Sequence, residues 1–210
     1  FKNSLEKFYT NLDTKIRPLL RVLLEALCTI DNKFAKNITE EFYSSKIMEI
    51  KIMGLIACIK YNHSSSTKLL KNFYNEFQND KILLEKWFQI KSSYNNLYFD
   101  GINSVKSILK DKNFEYKNPN FVRAIISSFQ NNNIELFHSR DDSGYKFVAN
   151  QIITIDKINP QIAARVITPM TNISKFNDNT KKRMKRYLQV ILNSNPSNDV
   201  FEVISKSLNQ

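Results

Sequence analysis

Apolar side chains recur along this chain with the spacing of helix faces. Phe1, Leu5, Phe8 and Leu12 fall at i, i+4, i+7 and i+11, one side of a helix. Pro18 opens a second helix to about Thr29, and Asp31 is placed to cap a third that reaches Tyr43. Ile47, Ile50, Met53, Gly54, Ala57 and Cys58 mark a fourth, mostly apolar and so deeply buried. After a turn at Ser64–Ser66 the pattern predicts helices over Thr67–Phe77 and Asp80–Ser92, the latter carrying Trp87 and Phe88. Phe99–Leu109 is next.

Asn118 followed by Pro119 reads as an N-cap with proline in the first helical position, starting Asn120–Gln130. A break at Asn131–Asn133, a short turn at Glu135–Phe137 and a loop over Ser139–Ser143 precede a helix opened by Gly144 and running to Ile158. Asn159-Pro160 repeats the cap-and-proline start for Gln161–Met170. Asp178–Leu192 is a basic helix, and Ser197 or Asn198 caps a last one ending at Leu208. No stretch alternates apolar and polar residues over a strand's length. The expectation is an all-α chain, a multi-helix α-superhelix or irregular helical-repeat-like array without a strict sequence period.

Composition narrows this further. The 210 residues, 42% hydrophobic and 24% charged, describe a globular chain with a sizeable core, one large domain or two small ones. Only Gly54, Gly101 and Gly144 are glycines. That excludes glycine-rich phosphate loops and weighs against turn-rich β-sandwiches. The net charge of +11 comes from lysines spread along the whole length. Asn is abundant too, so this reads as the drift of an AT-rich coding sequence and a solvated basic surface, not as a nucleic-acid footprint. Cys28 and Cys58 sit inside apolar helical patterns as buried thiols with no disulfide framework, which fits an intracellular, cytoplasmic setting. The longest apolar run, Ile47–Tyr61, is broken by Glu49, Lys51 and Lys60, short of the roughly 18 residues a membrane span needs. A start at Phe1 within a helical pattern suggests a piece of a longer protein.

Candidate chemistry is sparse. His63 and His138 are the only histidines, and each is followed by Ser rather than the Glu of H-E-x-x-H, so no zinc site and no metal ligands are assigned. The stretch from His138 to Ser143 holds His, Asp and Ser, yet with no oxyanion hole it is better explained by Asp141, Asp142 and Ser143 capping the following helix. No catalytic residue is assigned. In the run Lys181-Lys182-Arg183-Met184-Lys185-Arg186 the five charges lie off an apolar seam of Met184, Tyr187, Leu188 and Ile191, an ordinary amphipathic helix with a solvated basic face. Arg123, Gln161 and Arg165 form a subtler set. Gln161 and Arg165 share a helix face close to a helix start, and Arg165 is flanked by Ala163, Ala164, Val166 and Ile167. Arg165 either pairs with a buried acid or lines a cavity, and the residues alone favour the ion pair.

Five ordered segments carry a resemblance. They are Glu85-Lys86-Trp87-Phe88-Gln89-Ile90, Asn118-Pro119-Asn120-Phe121-Val122-Arg123, Phe137-His138 through Asp141-Asp142-Ser143-Gly144-Tyr145, Asp156 through Asn159-Pro160-Gln161-Ile162-Ala163-Ala164-Arg165, and Tyr187 through Val203-Ile204-Ser205-Lys206-Ser207-Leu208. In order and spacing they resemble the C-terminal helical domain of bacterial-type aminopeptidase N, a gluzincin zinc metalloaminopeptidase family. The likeness is close from Asp80 onward and looser before it.

The resemblance implies that residues 1–210 form a single C-terminal α-helical domain of a larger multidomain enzyme. By the same likeness the domain encloses the active-site chamber, zinc lies in the parent's catalytic domain, and Arg123, Gln161 and Arg165 are substrate-binding residues on the primed side. The implied partners are the upstream catalytic domain of the same polypeptide and peptide substrates, with no membrane and no nucleic acid. One departure stands out: where the family pattern reads Asp-Gly-Ser-Gly-Tyr, this chain has Asp142 at the first Gly, a residue that tolerates positive φ better than most. The alternative is a free-standing helical-repeat scaffold that binds protein or RNA through its basic surface.

Overall fold

The computed structural model describes residues 17–30, 32–61, 64–94 and 101–209. Among them every regular element is helical. The expected helix over Phe1–Leu12, the Asp31 cap and His63 lie outside the described residues.

The chain divides into two compact units, Phe1–Gln78 and Asn79–Gln210. In the first, α1 (Arg17–Ile30), α2 (Asn32–Tyr43), α3 (Met48–Lys60) and α4 (Ser66–Phe77) surround a core of Leu24, Cys28, Ala35, Phe42, Ile50, Met53 and Ala57. α2 and α3 approach so closely that a Cβ on Gly54 would stand 2.5 Å from the Tyr43 amide nitrogen and 2.6 Å from the Thr39 carbonyl oxygen. Glycine is therefore a packing requirement here, and the apolar run that opens at Ile47 is the buried helix the pattern predicts. Tyr43 donates its hydroxyl proton to the Leu69 carbonyl at 3.1 Å, which ties α2 to α4.

The second unit begins with α5 (Lys81–Ser93), capped by Asp80, whose carboxylate accepts from the Ile82 and Leu83 amides. α6 (Gly101–Ile108) follows. α7 (Pro119–Val122) starts on the expected Asn118 cap with Pro119 behind it. It runs through a π-helical segment, Arg123–Ser127, into α8 (Ser128–Asn132). A plain α-helix is the expectation for this stretch. The structure instead widens one turn, and Gln130 Nε2 donates to the Ile126 carbonyl at 3.2 Å within it. α9 (Ile134–Phe137), α10 (Ser143–Asp156), α11 (Pro160–Val166), α12 (Thr168–Thr171), α13 (Asp178–Leu192) and α14 (Asn198–Leu208) complete the unit, with a 3₁₀ turn at Ile173–Lys175.

Aromatic side chains hold these helices together. Phe88 meets Phe114 and Phe121 edge-on at 6.0 and 5.1 Å, and Phe129 meets Phe137 and Phe147 at 6.0 and 5.3 Å. Phe88, Phe129 and Tyr145 are fully buried, each contributing about 1.5–3 kcal/mol by leaving water. Side-chain bonds to free backbone groups link the rows of helices. Ser92 Oγ donates to the Ala124 carbonyl at 3.0 Å, Gln130 Nε2 to the Val166 carbonyl at 2.7 Å, and Ser207 Oγ to the Thr171 carbonyl at 2.6 Å. The all-α, repeat-like architecture expected from the sequence is the one observed.

Candidate functional site

Arg123, Gln161 and Arg165 are all exposed. Arg123 opens the π-helical segment and donates to Asn120 Oδ1. Gln161 and Arg165 lie one turn apart on α11, a helix started by Asn159, whose side-chain oxygen accepts from the Ile162 amide at 3.1 Å. α11 packs against the π-helical segment, and Gln130 pins the Val166 carbonyl at its end. The three side chains thus rise from two elements locked to each other. The apolar neighbours of Arg165 divide as a helix requires: Ile162, Ala163 and Val166 go inward while Arg165 faces out. Among the described residues Arg165 has no carboxylate within salt-bridge distance, and its exposure removes the need for one.

The turn that opens α10 is the second polar centre. Asp142 is left-handed, with φ 59° and ψ 11°, as Asp at that glycine position must be for the turn to persist. Two residues on, a Cβ at Gly144 would lie 2.4 Å from the carbonyl oxygens of both Leu136 and Phe137. The backbone of α10 therefore rests directly on α9.

Capping is only half of what this turn does. Asp141 caps as expected, its Oδ1 accepting from the Ser143 amide at 3.1 Å. The Asp142 side chain makes no cap hydrogen bond. Its carboxylate instead receives Arg183 Nε at 2.5 Å on one oxygen and Arg186 at 2.5 Å on the other, and Arg183 also donates to the Ser139 carbonyl. The basic helix, expected to show a wholly solvated face, turns two of its arginines onto one carboxylate. Nothing in composition marks them. The signal available was Arg183 and Arg186 at i, i+3 together with an acid at a position that needs positive φ.

His138 sits behind this cluster, its Nδ1 2.6 Å from the Tyr145 hydroxyl and its ring 4.8 Å from that of Phe176. Burial, and secondarily the Arg183 guanidinium, hold its pKa below the ordinary histidine value. Burial raises that of Tyr145. The His138 Nδ1 is engaged with the Tyr145 hydroxyl and Asp142 serves two arginines, so the His, Asp and Ser of this loop do not assemble as a nucleophilic relay. Among the described residues no group of three or more His, Cys, Asp or Glu is placed to hold a metal ion. Nor is any described helix long and apolar enough to cross a membrane.

Comparison with known proteins gives this geometry its setting. The chain is 34% identical over 142 residues to aminopeptidase N of Haemophilus influenzae, covering 67% of this chain and 16% of that protein. It is 29% identical to the Caulobacter vibrioides aminopeptidase N, over 80% of this chain and 19% of the relative, and 25% identical to that of Escherichia coli, over 81% and 20%. Among solved structures it superposes on Legionella pneumophila aminopeptidase A in complex with aspartic acid with a TM-score of 0.84 and 28% identity, covering 92% of this chain and 23% of that one. The chain spans about a fifth of the length of these relatives. A family model described as a domain of unknown function (DUF3458_C), ARM repeats, matches residues 3–209, and the chain belongs to that family.

Proposed function

We propose that this chain is the non-catalytic C-terminal helical domain of a zinc-dependent aminopeptidase of the aminopeptidase N type, which removes N-terminal residues from peptides. The observation that carries the reading is the likeness to aminopeptidase A over 92% of the chain, joined to three aminopeptidase N relatives. In this reading the domain encloses the active-site chamber and limits entry to peptides. Zinc belongs to the upstream catalytic domain of the same polypeptide. The described residues here do not suit it, since His138 has its Nδ1 against the Tyr145 hydroxyl and no third ligand accompanies it. The two buried, free thiols suit a reducing, cytoplasmic setting.

Arg123, Gln161 and Arg165 contribute primed-side contacts. Their exposure, and their mounting on two interlocked helical elements, support this role. So does the π-helical turn that begins at Arg123, a distortion often found at functional sites. Two guanidinium groups and an amide offer positive charge and donors to the carbonyls or terminal carboxylate of a bound peptide. The test is the intact protein on aminoacyl-anilide substrates. Hydrolysis that a chelator abolishes and zinc restores is expected, whereas an intact, metal-loaded protein with no aminopeptidase activity would overturn the proposal.

A further inference from the structure

Where α6 and α10 pack together, a cleft of about 620 Å³ opens on the second unit. That volume lies within the range of small-molecule sites, roughly 300–1,000 Å³. Its apolar lining comes from Leu109 and the almost fully buried Phe147. Its charge comes from Lys106 in the last turn of α6, from Lys110 in the turn that follows it, and from Lys146 in the first turn of α10. Among the described residues none of these three ammonium groups is paired with an acid. Among the described residues Asp141 alone brings a carboxylate to the same cleft, and its Oδ1 is taken by the Ser143 amide. Tyr116 and Gln151 also line it, and Tyr116 donates its hydroxyl proton to Gln151 Oε1 at 2.8 Å.

Elsewhere among the described residues Lys51, Lys60 and Lys181 each stand beside a carboxylate. Here three lysines border one concavity with an apolar floor. Bringing like charges together in a cleft raises the local potential and favours an anion. Lysine ammonium groups bind phosphate oxygens as point charges, and three of them around one cleft can share the several oxygens of a phosphate chain.

We infer that the cleft between α6 and α10 binds a small polyphosphate anion, its phosphates against Lys106, Lys110 and Lys146 and any attached apolar body on Leu109 and Phe147. The inference is independent of the peptidase reading, because none of these residues belongs to the proposed substrate set.

Titration calorimetry on the intact protein with ATP, inorganic tripolyphosphate and adenosine tests it. ATP and tripolyphosphate should bind and adenosine alone should not. ATP binding tighter than tripolyphosphate identifies a nucleotide as the source, while equal affinities identify an inorganic chain. Exchanging Lys106 and Lys146 together for alanine should weaken ATP at least about tenfold, since each removes one charge-assisted contact. Asp141→Asn should tighten it severalfold by removing the one opposing charge. Lys157→Ala, an exposed lysine outside the cleft, should leave it unchanged. All these positions except Asp141 are solvent-facing lysines, and circular dichroism checks that each variant is folded. No binding of either phosphate probe, or equal weakening by Lys157→Ala and the double variant, overturns the inference.

Discussion

Arg183 Nε stands 2.5 Å from Asp142 Oδ1, joining helix α13 to the left-handed turn that opens α10 across 41 positions of sequence. The Asp142 side chain is only 10% exposed and that of Arg183 19%, so the pair is largely shielded from water, whereas Arg186 on the other oxygen is 64% exposed. Two effects oppose each other at this residue. The positive φ costs a non-glycine residue about 1 kcal/mol, and the charge-assisted bonds return about 1.5–3 kcal/mol. Asp142→Ala keeps the strain and leaves Arg183 without its acid, so stability should fall by about 3 kcal/mol. Asp142→Gly loses the same bonds but relieves the strain, so it should fall by about 1 kcal/mol less. Urea unfolding of both variants checks the order. Equal losses would mean that φ carries no strain.

His138 makes the stability of this centre depend on pH. Burial and the neighbouring Arg183 lower its folded pKa beneath the ordinary 6.5. The unfolded chain therefore binds the proton more tightly, and the contribution is full above about pH 6.5 and is lost as pH falls through the depressed folded value. His138→Phe should flatten this acid-side slope. It should also lower stability by about 1–3 kcal/mol at every pH, because the Tyr145 hydroxyl, in a fully buried residue, loses its partner. Unfolding free energies from pH 5 to 8 for both proteins measure the two effects. An unchanged slope in the variant would assign the pH dependence elsewhere.

The elements were legible where a local rule governs them. Asn118-Pro119 and Asn159-Pro160 start helices because the side-chain oxygen takes an otherwise free amide and proline needs none. The Asp178–Leu192 helix follows from the spacing of Met184, Leu188 and Ile191. What escaped depends on contacts distant in sequence. The π-helical turn at Arg123–Ser127 is held in part by Gln130 and by Ser92 from another helix, and no local propensity encodes it. The orientation of Arg165 was ambiguous for a related reason. Its apolar flanks fit a buried arginine as well as an exposed one on a narrow helix face, and only the packing of α11 against its neighbours separates the two.

Two glycines should resist the smallest substitution. Gly54→Ala and Gly144→Ala each place a Cβ within 2.6 Å of backbone atoms of a neighbouring segment, which cannot swing aside as a side chain can. Each should destabilise its unit by about 3 kcal/mol, the upper range for overpacking. The helix-propensity gain of alanine, about 1 kcal/mol, is too small to offset that. Thermal unfolding of either variant at or above the parent Tm would show that the helices can separate without cost.

The thiols should be silent while the chain is folded. Burial pushes the Cys28 thiol up to about 11, and it also raises that of Cys58, whose Sγ lies 3.5 Å from Ser65 Oγ. Thiolate is the reactive form, so neither residue should react with a disulfide reagent near neutral pH. Both should react promptly in denaturant. Rapid labelling of native protein would reveal an opening of the first unit that its core packing does not suggest.

If Arg165 makes the proposed substrate contact in the intact protein, its loss has a distinct kinetic signature. A contact with the peptide beyond the scissile bond binds ground state and transition state alike, so its loss acts mainly on KM. One charged hydrogen bond corresponds to about a ten- to hundredfold change, and Arg165→Ala should reduce kcat/KM on tripeptides by that factor. A single-residue chromogenic substrate offers little on the primed side and should be affected far less. Stability supplies the control. Arg165 is exposed and pairs with no acid among the described residues, so its removal should leave the unfolding free energy within about 0.5 kcal/mol of the parent, as for other surface changes. A structural role predicts the opposite pattern, a large fall in Tm with both substrates hit alike. Gln161→Ala, one turn away on the same face, should reproduce the tripeptide-selective loss more weakly, since an amide supplies a neutral hydrogen bond worth about half as much as a charged one. Measuring Tm and both substrates on each variant separates the readings, and equal losses on the two substrates would retire the contact.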